Sequence, residues 1–187
     1  MGKVDPTTGD FTQIASINGS YLPVLGGAST FDSDSGQLMV QLGVADVIDN
    51  FVVDTKTGTV EKIPEDPSTG RVLTTLQYNP KDGLVYGLGI KPKTGGGIER
   101  TLATLDLKTK TYNTVCEVTD YLIESGGESA LDYDAGVLTW IGQKAGAKPT
   151  DPFSLISTDV KTCKTVSAPT LCTSDALCPW SIEYRMD

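Results

Sequence analysis

The chain of 187 residues contains no histidine. That absence removes Ser-His-Asp and Cys-His nucleophilic arrangements, imidazole acid–base catalysis and histidine-ligated zinc or iron. Positive charge is scarce as well: 15 Lys and Arg stand against 24 Asp and Glu, for a net charge of −9 and with no basic cluster. A nucleic-acid partner needs a basic surface to displace phosphate counterions, so none is expected, and an anionic membrane surface is disfavoured by the same sign. Long apolar runs are missing. The stretch Leu84–Ile90 is interrupted by Gly87 and Gly89 and is far too short to span a bilayer, so no membrane insertion is expected. The first residues show no basic and apolar leader pattern. Helical periodicity is nearly absent, with room for one helical turn at Thr119–Ser125. A chain of this length buries a core without needing a metal as a staple.

The cysteines Cys116, Cys163, Cys172 and Cys178 form no C-x-x-C, which excludes thioredoxin-like redox chemistry and zinc ribbons. Their even number suits disulfides, and Asn18-Gly19-Ser20 is an N-glycosylation sequon. Together they point to an extracellular, secreted glycoprotein, the alternative being buried thiols in a cytoplasmic protein. Four cysteines allow three pairings. The expected one joins Cys172 to Cys178 and bridges neighbouring units through Cys116 and Cys163.

What is present is a repeat. Asp5, Asp54, Asp106 and Asp159 recur at intervals of 49, 52 and 53 residues, each followed three positions on by a threonine (Thr8, Thr57, Thr109, Thr162). Such a segment reads as a tight hairpin, its Asp carboxylate accepting from backbone N–H groups two or three residues on. Gly9 and Gly58 close two of these turns, whereas Lys110 and Cys163 stand in their place in the others. A second motif aligns without gaps: Gly27–Phe31, Thr74–Tyr78, Ser129–Tyr133 and Trp180–Tyr184, each ending in an aromatic ring. In the first three copies a Gly turn follows, then an apolar strand at Leu38–Leu42, Leu84–Leu88 and Val137–Ile141. Each unit of about 50 residues therefore reads as four short strands, the pattern of β-propeller blades.

Val53-Asp54-Thr55-Lys56-Thr57-Gly58, Ile63-Pro64 and the run Tyr78-Asn79-Pro80-Lys81-Asp82-Gly83-Leu84-Val85-Tyr86 carry a resemblance. They resemble a blade of the YVTN/YncE-like, quinoprotein-type propellers, whose repeats have an Asp-x-x-Thr-Gly turn, a Pro and an Asp-Gly-x-x-Tyr hairpin. After Tyr86 this chain has Gly-Leu-Gly where those repeats have Val-Thr-Asn. The expected architecture is all-β: a single domain over 1–187, a small propeller of about four four-stranded blades. Complete blades fall at about 27–64, 74–118 and 129–168. An incomplete one, from 1–17 plus 178–187, closes the ring by joining N- and C-terminal strands. A monomer, a homodimer that completes the blade in trans, and a piece of a larger propeller are all open.

The resemblance implies that ligands meet the face built by loops leaving the second and fourth strands. Those loops are long and unequal, among them Gly43–Asn50, Lys91–Arg100, Thr119–Glu128 and Gln143–Pro152. Their binding candidates are Tyr21, Asp46, Asp49, Arg71, Arg100, Tyr121, Glu124, Glu128 and Lys144. The leading expectation is a non-catalytic propeller that engages a protein or carbohydrate ligand there. One alternative is a carboxylate-based hydrolase or isomerase at the channel mouth, with Asp132 and Glu183 as acid and base and a divalent ion. That pair comes from a polar ladder, Thr30, Gln77, Asp132 and Glu183, one residue before each aromatic. A self-associating scaffold is the other alternative. Asp32-Ser33-Asp34-Ser35-Gly36 has the clustered oxygens of a calcium loop, but Gly43 stands at the twelfth position where such loops need Glu. A hairpin turn is expected there instead, with no metal or cofactor otherwise assigned.

Overall fold

The computed structural model describes residues 1–19, 21–23, 29–44, 47–64, 72–92, 98–122, 129–148 and 150–172. Strands β1 (Gly2–Val4) and β2 (Phe11–Gln13) form a two-stranded ribbon. The first sheet holds β3 (Leu22–Pro23), β4 (Ser29–Asp32), β5 (Gln37–Val44), β6 (Val47–Asp54) and β7 (Val60–Ile63). The second holds β8 (Val72–Asn79), β9 (Leu84–Pro92), β10 (Ile98–Asp106) and β11 (Thr111–Glu117). The third holds β12 (Tyr121–Leu122), β13 (Ser129–Asp132), β14 (Val137–Lys144), β15 (Phe153–Asp159), β16 (Thr165–Ser167) and β17 (Thr170–Cys172). Each sheet is an antiparallel meander four strands wide. In the first and third, short β3 and β12 prolong the innermost line by pairing with the far ends of β5 and β14. No helix occurs among the described residues. In the stretch with room for one helical turn, Tyr121 and Leu122 pair as strand with Lys144 and Gln143, while residues 123–125 lie outside the described residues.

The aspartate turns form as the repeat predicts. Asp5, Asp54, Asp106 and Asp159 each accept, through one carboxylate oxygen, from backbone N–H groups two and three residues on, at 2.7–3.2 Å. The closing position needs a left-handed backbone: φ is +78° at Gly9 and Gly58, and Lys110 and Cys163 adopt +57° and +60° where glycine is missing. Asn79 makes the same kind of cap, its Oδ1 accepting from Lys81 N at 3.0 Å.

Packing between sheets runs edge to edge along the innermost strands. The Tyr78 amide of β8 donates to Thr30 Oγ1 of β4 at 2.7 Å; Gln77 Nε2 donates to Ser129 O of β13 at 2.7 Å; Ser129 Oγ donates to Thr75 O at 3.0 Å. Behind these strands, Met39, Val52, Ile63, Leu73, Leu76, Val85, Ala103, Leu105 and Leu107 fill the space between the first and second sheets. Leu88, Leu102, Leu131, Leu138, Trp140, Ile156 and Val160 do so between the second and third. At the surface, Lys110 pairs with Glu61 and, between the turns that follow β8 and β13, Lys81 with Asp134 across the same two seams. The disulfide Cys116–Cys163 spans the second seam with Cα atoms 6.2 Å apart. Cys172 is also disulfide-bonded, and Cys178 lies outside the described residues.

The register revises one part of the sequence reading. Phe31 faces Leu38, Tyr78 faces Val85 and Leu131 faces Leu138, so Leu131, not Tyr133, occupies the aromatic position of the third copy. Asp132 therefore corresponds to Asp32 and Asn79, the turn caps, rather than to Thr30 and Gln77. The gapless alignment slipped by two residues because the third turn has an aromatic of its own, Tyr133, over which Lys81 Nζ sits 5.7 Å from the ring centroid. Phe31, the aromatic that ends the first copy of the motif, is 50% exposed. The expected closing strand, 180–184, and hence the fourth blade lie outside the described residues.

Candidate functional site

The two ends of the strands differ. At the turn end the carboxylates are consumed by their own backbone. Burial pushes the Asp32 carboxyl up, but the Ser35 hydroxyl and the backbone N–H groups of Ser35 and Asp34 outweigh it and hold it below its ordinary value. That segment is a hairpin turn with Gly36 at φ +78°. Tyr86 donates to Asp82 at 2.9 Å; burial and that carboxylate push its pKa up to about 12, so it stays protonated. Tyr78 rises to about 12 from burial and from Asp32. Asp132 accepts from the amides of Asp134 and Ala135 at 3.0 and 2.8 Å, and its expected catalytic partner Glu183 lies outside the described residues. Among the described residues no group of three or more His, Cys, Asp or Glu is placed to hold a metal.

The opposite end carries the described binding candidates, four of which the structure brings together in two pairs, at two places. In the first sheet, Tyr21 Oη donates to Asp49 Oδ2 at 3.2 Å, Lys62 Nζ pairs with the same oxygen at 2.7 Å, and the Tyr21 ring meets Phe51 edge-on at 5.1 Å. Beside them, buried Gln41 donates to Asn50 Oδ1 at 3.0 Å and to Leu73 O of the second sheet. Asp49 lies in a strand, not a loop: β5 and β6 stay paired as far as Val44 and Val47, leaving a two-residue connection where a long loop is expected. The β-branched Val44, Val47 and Ile48 favour that extension. Arg100 likewise lies in β10, opposite Ile90, and its buried Nε has no partner among the described residues.

The second place is a groove of about 380 Å³ in the third sheet, lined by Tyr121, Lys144, Ala145, Gly146, Ala147, Asp151, Pro152 and Ser154. Tyr121 and Lys144 face each other across the β12–β14 pairing. The loop below is stiffened by its own polar groups: Gln143, fully buried, donates Nε2 to Asp151 O at 2.6 Å, and Asp151 Oδ2 accepts from Lys148 N at 2.8 Å. Gln143 Oε1 has no donor among the described residues.

No family model and no curated protein matches the chain. Solved structures do. TolB from Acinetobacter baumannii superposes with a TM-score of 0.57 at 16% identity, covering 91% of this chain and 37% of that one. An oligogalacturonate lyase in complex with manganese gives 0.55 at 17%, covering 90% and 46%. A putative TolB from Agrobacterium tumefaciens gives 0.53 at 11%, covering 83% and 55%. The architecture is that of β-propeller blades. At these identities the likeness is one of fold, and the chain spans between 37% and 55% of the length of these three structures.

Within the propeller frame, β4, β8 and β13 are the innermost strands of three blades. Of the sequence candidates, Tyr21 and Asp49 meet in one blade and Tyr121 and Lys144 in another, while Arg100 stands apart in the blade between. Asp46, Arg71, Glu124 and Glu128 lie outside the described residues, and the sequon residue Asn18 is exposed. Sequence reasoning missed Lys62, Asp151 and Ser154. The register of the inner strands does have a signal: residues 21–36 and 121–136 match at an offset of 100, sharing Tyr, Leu, Gly-Gly, Ser, Asp, Asp and Gly. That match aligns the two inner strands correctly, and the strands that follow with them.

Proposed function

We propose that this chain is a non-catalytic recognition propeller that engages a protein or glycan through its long-loop end, in an oxidising compartment outside the cytoplasm. The observation that carries this reading is the asymmetry of the two strand ends. One end spends its carboxylates on backbone caps, whereas the other presents a groove of about 380 Å³ with an aromatic ring, an ammonium and two hydroxyls at its rim. Clefts of this size are where scaffolds take ligands, and a rigid meander beneath a variable loop is the usual division between frame and recognition. The disulfide Cys116–Cys163 supports the compartment. The Asp-x-x-Thr-Gly turns support membership among YVTN/YncE-like repeats, and completion of a fourth blade from residues 1–17 and 178–187 is part of the same proposal.

A glycan array and a displayed peptide library, each probed with the native chain, test it. The expected result is a set of binders lost at least about tenfold with Tyr121→Ala plus Lys144→Glu and retained with Lys81→Glu, which alters the turn end. Binders indifferent to the double variant, or none in either format, would remove the reading.

A further inference from the structure

The three described blades can be compared at one position, five residues before each turn aspartate: Asp49, Thr101 and Ser154. The registers agree with this equivalence. Leu22 pairs with Gly43 and Leu42 with Asp49 in the first blade; Leu122 pairs with Gln143 and Gly142 with Ser154 in the third. Tyr21 and Tyr121 are therefore the same residue of the repeat, and so are Asp49 and Ser154.

In the first blade the arrangement is self-contained. The Asp49 carboxylate sits between the Tyr21 hydroxyl and the Lys62 ammonium, and only two residues connect the paired ends of β5 and β6. In the third blade the tyrosine is kept, a hydroxyl replaces the carboxylate, and eight residues separate β14 from β15, of which Ala145, Gly146, Ala147, Asp151 and Pro152 line the groove. Lys144 supplies the ammonium, from a different strand than Lys62 does, and has no ion pair among the described residues. The Tyr121 hydroxyl likewise has no partner among them. The third blade thus holds a phenol and an ammonium with no carboxylate at the Asp49 position, the Asp151 carboxylate of the groove accepting instead from the Lys148 amide.

We infer that the groove beside Tyr121 binds a small organic carboxylate, its anionic group taking the place that the Asp49 side chain fills in the first blade. This rests on the proposed role of the loop end in recognition and names the chemistry recognised there. A carboxylate between a phenol O–H and an ammonium gains two charge-assisted hydrogen bonds. Ala145, Gly146, Ala147 and Pro152 give the groove a low apolar wall, and Asp151 keeps one carboxylate oxygen to accept from an O–H or N–H at the ligand's other end. A single sugar acid and an acylated amino acid both fit those demands and the groove's size.

The test is amide chemical-shift titration of the isotopically labelled chain with millimolar glucuronate and, separately, N-acetylglycine. Glucose and N-acetylglycine methylamide are the uncharged controls. Amides of 144–154 are expected to move saturably with at least one carboxylate and not with its control, and the probe that saturates first identifies the sugar-acid or the peptide-like source. Lys144→Met should weaken binding about tenfold or more. Ser154→Asp, which restores the internal carboxylate of the first blade, should abolish it, while Lys161→Ala, exposed on the turn beyond β15, keeps both the spectrum and the affinity. The inference is overturned if neither carboxylate moves these amides, if the uncharged controls move them equally, or if Lys144→Met binds as the native chain does. Array binders that persist in Lys144→Met but not in the Tyr121→Ala plus Lys144→Glu pair would leave loop-end recognition standing while this inference falls.

Discussion

The aspartate of each turn is a residue whose whole environment is local. Asp5, Asp54, Asp106 and Asp159 all have pKa values below the ordinary 3.8, chiefly because backbone N–H groups donate to the ionised form. The folded pKa lies under the unfolded one, so the stabilisation is present above about pH 4 and is lost as the pH falls through the lowered values. Asp54→Ala is therefore expected to lower the melting temperature at pH 7, with a deficit that narrows as the pH falls below about 4; a deficit that stays constant with falling pH would contradict this. Asp54→Asn should lose less, since Asn79 already caps a turn with its amide oxygen. Two glycines separate backbone strain from crowding. A Cβ on Gly9 meets nothing within 4 Å, whereas one on Gly58 lies 2.5 Å from Ile14 O, and both residues have φ +78°. Gly9→Ala should cost about 1 kcal/mol and Gly58→Ala clearly more, as read by urea denaturation. These turns were legible in the sequence because their partners are two and three residues away. Lys62, Asp151 and Ser154 were not, because what they touch depends on strand register.

At the scale of the strand, β8 departs from regularity at its centre. The pairing with β9 shifts between Thr74 and Gln77, and Thr75 there has φ +55°, an unusual conformation for a β-branched side chain. The bulge is held from three sides: Thr75 Oγ1 accepts the Leu88 amide at 3.2 Å, Thr75 O accepts Ser129 Oγ at 3.0 Å, and Gly87 leaves room where a Cβ would meet Thr74 O at 2.6 Å. Thr75→Val removes the acceptor and leaves the Leu88 N–H buried without a partner, an expected loss of about 1–3 kcal/mol. Hydrogen exchange at Leu88 should rise in that variant, and unchanged protection there would refute the account. Alternation and Gly turns announced the strands of each unit, yet nothing in the run Thr74-Thr75-Leu76-Gln77 marks a bulge. The two-residue slip at Asp132 has a similar cause. An aromatic ring is a poor register mark when the turn beside it also carries one, as Tyr133 shows, and the exact offset between 21–36 and 121–136 is the better guide.

Across the molecule, the blades are joined by inner-edge hydrogen bonds, two apolar seams and surface ion pairs, all of them long-range contacts. Their existence follows from the repeat; their chemistry does not, since Gln77 and Thr30 read equally well as channel-lining groups until the neighbouring strand is in place. The Cys116–Cys163 bridge is the covalent member of this set, closing a sequence separation of 47 residues. Replacing it with Cys116→Ser and Cys163→Gly, the glycine suiting the positive φ at that turn, should cost about 2–4 kcal/mol in denaturant titration. A loss below about 0.5 kcal/mol would mean that the bridge adds little to the seam. The same bond changes what a break in the chain does. The groove loop lies between the two bridged cysteines, so a protease that cleaves after Lys144 leaves two fragments still tied together. Such a nicked chain runs as one species without reductant and as two with it, and the groove can lose its continuous backbone while the second and third blades remain covalently linked.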